Sequence, residues 1–93
     1  MPIRRFTLDG RAIHSLDELY DLLSILMDFP GHFGRNLDAL WDILSTEMEG
    51  PFEIIWRYAD DSKKAMPEDF DRTVALLQEL QEERGDFKLQ IEP

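Results

Sequence analysis

Gly50-Pro51-Phe52-Glu53-Ile54-Ile55-Trp56 sets a run of β-branched and aromatic residues directly behind a Gly-Pro break. Such a run is of strand length and favours an extended backbone. Its apolar residues barely alternate with polar ones, so a strand largely covered on both faces is expected. Upstream, Asn36 can cap a helix running through about Met48, its side-chain oxygen accepting from an amide of the first turn. At about 100° per residue, Leu37, Leu40, Trp41, Leu44 and Met48 gather on one side of that helix, and Asp38, Asp42, Ser45 and Glu49 form a narrow band on another. Further back, Ser15-Leu16-Asp17-Glu18 is a capping box. It opens a helix whose Leu16, Leu19, Tyr20, Leu22, Leu23, Leu26 and Met27 recur at helical spacing as far as Asp28, before Pro30-Gly31 breaks it. Ile3, Phe6 and Leu8 precede all of this as a first strand, ending at the Asp9-Gly10 turn.

Downstream, Ala59 to Met66 reads as a short helix or an irregular turn. Pro67 suits the first position of a helix. Phe70, Val74, Leu77 and Leu80 or Gln81 mark its inner face up to Arg84, with Gly85 expected as the left-handed stop. Phe87, Leu89 and Ile91 alternate with Lys88 and Gln90 as a last strand. The order is strand, two helices, strand, one or two helices, strand. Connections of that length are crossovers, so the expectation is an α/β fold: a three-stranded parallel sheet with flanking helices.

The 93 residues fit a single domain, 1–93, because domains usually run to about 100–150 residues. The chain has no cysteine, which removes disulfides and thiolate metal sites and points to a cytoplasmic protein. Met1-Pro2-Ile3-Arg4-Arg5-Phe6 has basic residues without the apolar region of an export signal. Nor does any stretch approach the roughly 20 apolar residues of a membrane span. Twenty acidic residues against ten basic ones give a net charge of -10, which repels nucleic acid and anionic membranes and favours a basic partner. Solubility alone would also account for that charge.

Candidate chemistry is sparse. Neither GxxxxGK[ST] nor GxGxxG is present, so nucleotide binding is unsupported. His14 and His32 lie 18 residues apart with no HExxH, and no metal or other cofactor is expected. His32 beside Asp38 or Asp42 is the one conceivable acid–base pair, but no nucleophile or oxyanion donor accompanies it. Asp38 and Asp42 are four residues apart and stack on one helix face, where like charges repel by a few tenths of a kcal/mol. The helix dipole offsets part of that at Asp38 and little at Asp42. From spacing alone the band describes a solvated helix face.

The run Phe33-Gly34-Arg35-Asn36-Leu37-Asp38-Ala39-Leu40-Trp41-Asp42 resembles the central signature of the barstar family: tyrosine, glycine, glutamate, asparagine, leucine, aspartate, alanine, leucine, tryptophan, aspartate. The resemblance extends to the Asp9-Gly10 turn, the helix after Ser15, the segment Pro51 to Arg57, and the last helix and strand. It implies a barstar-like fold with the architecture read above. It also implies an intracellular inhibitor of a basic, barnase-like ribonuclease rather than an enzyme, monomeric when free, that protects its cell as an immunity protein. The implied partner-binding residues are His32, Phe33, Gly34, Arg35, Asn36, Asp38, Ala39, Trp41, Asp42 and Ser45. Asp42 would take the place of an RNA phosphate against the nuclease's cations, and Gly34 would serve a close backbone approach, a positive φ or simply a turn.

Three positions depart from the family: His32 stands at an interface tyrosine, Arg35 replaces a glutamate and Glu47 replaces a tryptophan. Arg35 would repel a basic cleft. The family's acidic contact on the last helix aligns with Leu80, with Glu79 and Glu83 nearby. The alternative reading is an interaction module of the same fold with a different basic partner or nuclease toxin.

Overall fold

A computed structural model describes residues 2–93. Strands β1 (Arg4–Asp9), β2 (Phe52–Arg57) and β3 (Phe87–Ile91) form a sheet in the order β1-β2-β3. Both pairings are parallel, and Phe6 aligns with Ile54 and Ile54 with Leu89. Helices α1 (Leu16–Met27) and α2 (Leu37–Asp42) lie in the first crossover, and α3 (Ala59–Ala65) and α4 (Pro67–Glu83) in the second.

The helices cover one face of the sheet. Phe6, Leu8, Phe52, Ile54, Trp56 and Phe87 are buried in one cluster with Leu19, Leu23, Leu40, Leu44, Leu77 and Leu80. The intervening residues Arg5, Thr7, Arg57, Lys88 and Gln90 are exposed, and Glu53 and Ile55 are half-buried. The expectation that β2 is covered on both faces is therefore corrected. Strands added in chain order by crossovers of one hand keep their helices on a single side, and ion pairs occupy the other: Arg5 with Glu53 and Arg57 with Glu92, each at 3.0 Å.

Local signals explain most boundaries. Ser15 caps α1 by accepting from the Glu18 amide at 3.2 Å, while Glu18 accepts from the His14 amide at 2.9 Å, the reciprocal arrangement of a capping box. That helix stops earlier than the Pro30-Gly31 break. Asp28 takes a left-handed conformation (φ 54°) and its amide closes on the Ser24 carbonyl, a role open to Asp because its short side chain tolerates that region. Pro67 begins α4 as expected, and α3 is a helix rather than an irregular turn. Gly85 is not a left-handed stop, since no glycine has positive φ among the described residues. The helix nevertheless ends where expected, at Glu83, with Arg84 as the cap whose amide donates to the Leu80 carbonyl at 2.8 Å and Gly85 directly after it.

Trp56 is fully buried, so its indole N–H needs a partner inside the core. It donates to Ser62 Oγ at 3.3 Å, and that hydroxyl donates to the Gly10 carbonyl at 2.8 Å. The chain of bonds fastens α3 to the middle of the sheet and to the turn after β1. A Cβ at Gly10 would stand 2.2 Å from the Tyr58 carbonyl oxygen, so only glycine permits this approach. Ser62→Ala should strand the indole N–H and cost about 1–3 kcal/mol of stability, read as a lowered midpoint in urea unfolding followed by tryptophan emission.

Candidate functional site

The loop from Asp28 to Asn36 and the helix after it bring together most of the expected residues. Asn36 is extended, and its Oδ1 accepts from the Ala39 amide at 2.7 Å while its Nδ2 donates to the Gly34 carbonyl at 3.3 Å. The cap thus ties the loop to the first turn of α2. Gly34 has no positive φ, but a Cβ there would lie 3.3 Å from the Ala39 Cβ. Gly34 thus lies close to the first turn of α2, and the left-handed residue directly before the Asn36 cap is Arg35, with φ 53°. Phe33 wedges edge-on against Tyr20 and Phe29, with ring centroids 5.5 and 5.1 Å apart.

The helix does not run regularly to Met48. It is α-helical only over Leu37–Asp42 and widens into a π turn over Ile43–Glu47, closed by the Met48 amide on the Ile43 carbonyl at 3.0 Å. Glu49 lies beyond the helix and drops out of the acidic band. The change begins at Asp42, whose carbonyl accepts from Thr46 Oγ1 at 2.6 Å and from Ser45 Oγ at 3.4 Å. Hydroxyls returning to a carbonyl one turn back bend helices, and single π turns of this kind recur at functional sites.

Arg84 secures the far end. Its Nη1 donates to the Leu44 and Met48 carbonyls at 2.7 and 2.8 Å, supplying acceptors that a helix end leaves without partners. Its Nε and Nη2 make a bidentate pair with Asp86, both at 2.8 Å, and the guanidinium lies 5.1 Å from the Phe52 ring centre. The same hydrogen bonds hold the Asp86 carboxyl below the ordinary aspartate range and raise Arg84 above its usual value.

Between these anchors Leu40, Ile43 and Leu44 are buried, Ala39, Trp41 and Ser45 are half-buried, and Asp38 and Asp42 face solvent. His32, Phe33, Gly34, Ala39 and Asp42 line one open hollow together with Thr46 and Glu47. Asp38 and Trp41 line a second with Arg72, Leu76 and Glu79 of α4. Arg35, Asn36 and Asp38 border a third with Asp17 and Tyr20. Ser45 borders none of these and turns its hydroxyl toward the Asp42 carbonyl. Among the described residues, neither Asp38 nor Asp42 takes part in an ion pair.

Thr46, Arg72 and Glu79 were not singled out as site residues from the sequence. The spacing of Arg72, Leu76 and Glu79 along one side of α4 was the available signal. Leu80, where alignment set the acidic contact of the last helix, is fully buried, so Glu79 is the carboxylate that reaches the second hollow. No three His, Asp or Glu side chains are grouped to hold a metal ion among the described residues, and none of their helices is long and apolar enough to cross a membrane.

A short helix fixed at both ends thus offers two carboxylates one turn apart beside a tethered loop, neither of them ion-paired among the described residues. The family described as barstar, the barnase inhibitor, matches residues 3–92. A protein of Bacillus subtilis (strain 168), "Putative ribonuclease inhibitor YrdF", is 35% identical over 91 residues, covering 97% of this chain and 100% of the relative. The chain belongs to the barstar family.

Two outcomes follow from the Arg84 anchor. Arg84→Ala should leave the Leu44 and Met48 carbonyls without their donor and cost about 2–4 kcal/mol, measured as a shift in the urea midpoint. Because folding lowers the pKa of Asp86, and that of Asp9 through its bonds to Arg11, their contributions are present above the unfolded aspartate value and vanish as pH falls through the folded one. Stability of the wild type should therefore decline from about pH 4 downward, and Asp86→Asn should flatten that decline.

Proposed function

We propose that this chain is a cytoplasmic inhibitor of a basic, barnase-like ribonuclease, monomeric when free and without catalytic turnover, that protects its cell by blocking the enzyme's active site. The observation that carries the proposal is the exposure of Asp38 and Asp42 on a helix held from both ends, each without a cation of its own among the described residues. Two like charges at this spacing cost stability in the free molecule. A cleft lined with arginine, lysine and histidine would relieve the repulsion and add charge-assisted, bidentate hydrogen bonds. In that complex Asp42 occupies the place of an RNA phosphate, and the loop residues His32, Phe33 and Gly34 with Ala39 shape the surface on one side of it. Trp41 and Asp38 form the other side, with Glu79 as the acidic contact from the last helix. The net charge of -10 steers a cationic enzyme toward this face, so association should slow as salt rises.

His32 and Glu47 border the same hollow as Asp42, at positions where the family carries aromatic residues. An imidazole and a carboxylate there suit a nuclease whose rim is more polar or more basic than that of barnase itself, which supports the reading of a different cognate enzyme within the same class.

Titration of a purified barnase-like ribonuclease decides the matter. Activity should fall to zero at one equivalent of the wild-type protein, and Asp42→Ala should weaken binding by roughly 2–5 kcal/mol, the loss general to removing one partner of a buried charge pair. Ribonuclease activity that persists at several equivalents of wild type, across barnase-like enzymes of differing rim charge, would overturn the proposal.

A further inference from the structure

Arg35 is a cation in the middle of a surface that has to meet cations. Read from the sequence, its charge opposes binding to a basic cleft, and its backbone adds to the puzzle: with φ at 53° it is a bulky residue in the left-handed region, a conformation that persists only where the surrounding structure supports it. The polar and cation–π contacts of its side chain lie on α1. Nη1 reaches Asp21 Oδ1 at 3.0 Å, and Nη2 reaches the Asp17 carbonyl oxygen at 3.1 Å and Asp17 Oδ1 at 3.5 Å. Asp17 and Asp21 are four residues apart on one helix face, a spacing that lets one planar guanidinium engage both. The guanidinium carbon also lies 5.8 Å from the centre of the Tyr20 ring, within cation–π range. Tyr20 is buried and its ring receives the edge of Phe33.

From this geometry we infer that Arg35 is a positioning residue: it clamps the loop before α2 onto Asp17 and Asp21 of α1, holding the docking surface in its binding shape and neutralising its own charge. The inference rests on the function proposed above and extends it to two residues on another helix. A surface pair of this exposure is worth little alone. Here two carboxylates, one carbonyl and one ring converge on the same guanidinium, and the residue that carries it is followed at once by Asn36, the cap of α2. Turning Arg35 out of the clamp would release its left-handed backbone and with it the entry into the helix bearing Asp38 and Asp42. A clamped loop forfeits less conformational entropy on binding, which is how preorganisation raises affinity.

The test has one arm that uses no nuclease. Amide exchange of residues 29–36 is followed in the free wild-type protein, in Arg35→Gln, and in the double variant Asp17→Asn with Asp21→Asn. Both variants should exchange about fivefold faster in this loop, as expected for losing an ion-pair network of modest strength, with the urea midpoint nearly unmoved. In the second arm, both should inhibit a barnase-like ribonuclease about fivefold more weakly. Unchanged exchange in Arg35→Gln would overturn the clamp whatever the nuclease does. Faster exchange with equal or tighter inhibition by Arg35→Gln would overturn the positioning role and make Arg35 a repulsive contact. If wild type itself inhibits nothing, the proposed function fails separately, the positioning role falls with it, and exchange alone decides whether the clamp exists.

Discussion

The indole N–H of Trp56 lies in the middle of the core, where water cannot serve it, and the rest of the architecture is arranged around supplying its partner. Ser62 does so from α3, and the same hydroxyl then reaches the Gly10 carbonyl. With α3 fixed, Pro67 launches α4 from a defined place, and Phe70 meets the indole edge-on with ring centres 5.0 Å apart. The far end of α4 delivers Arg84 to the carbonyls of the π turn after α2. A hydrogen bond in the core is thereby connected, through two helices, to the orientation of α2.

Helix α2 is an unfavourable object on its own. It has six α-helical residues, fewer than an isolated helix needs in water, and it displays two like charges. What sustains it is tertiary: burial of Leu40, Ile43 and Leu44 beneath it, the Asn36 cap at its start and Arg84 at its end. Charges can be left uncompensated when the backbone beneath them is held from outside. The conflict between local preference and global structure is concentrated where function is expected to concentrate it.

Much of this was legible in the sequence. The three strands, the capping box at Ser15, the cap at Asn36 and the proline start of α4 are local signals, each with its own chemistry, and each appears where its residues place it. The one-sided burial of β2 was not legible, because a run such as Phe52-Glu53-Ile54-Ile55-Trp56 fits either environment and the choice falls to the path of the crossovers. The π turn escaped notice because the hydroxyl contacts of Ser45 and Thr46 to the Asp42 carbonyl that accompany it leave no periodic signal. Gly85 does follow the end of α4, but its backbone is not left-handed, and the contacts of Arg84 to Leu44 and Met48 join residues too distant in sequence to be read from spacing. Arg35 shows the same limit most clearly: its charge is written in the sequence, but the direction in which that charge points is set by a helix 18 residues earlier.

The two tryptophans occupy environments that divide the molecule's optical behaviour between them. Trp56 is sealed in the core against Phe70, whereas Trp41 is half-buried beside Asp38 and Glu79. With no other indole in the chain, emission from Trp56 registers the integrity of the core and emission from Trp41 registers the surroundings of the acidic helix. The protein carries two built-in fluorophores, one in the core and one near the surface, each separable from the other by a single Trp→Phe exchange.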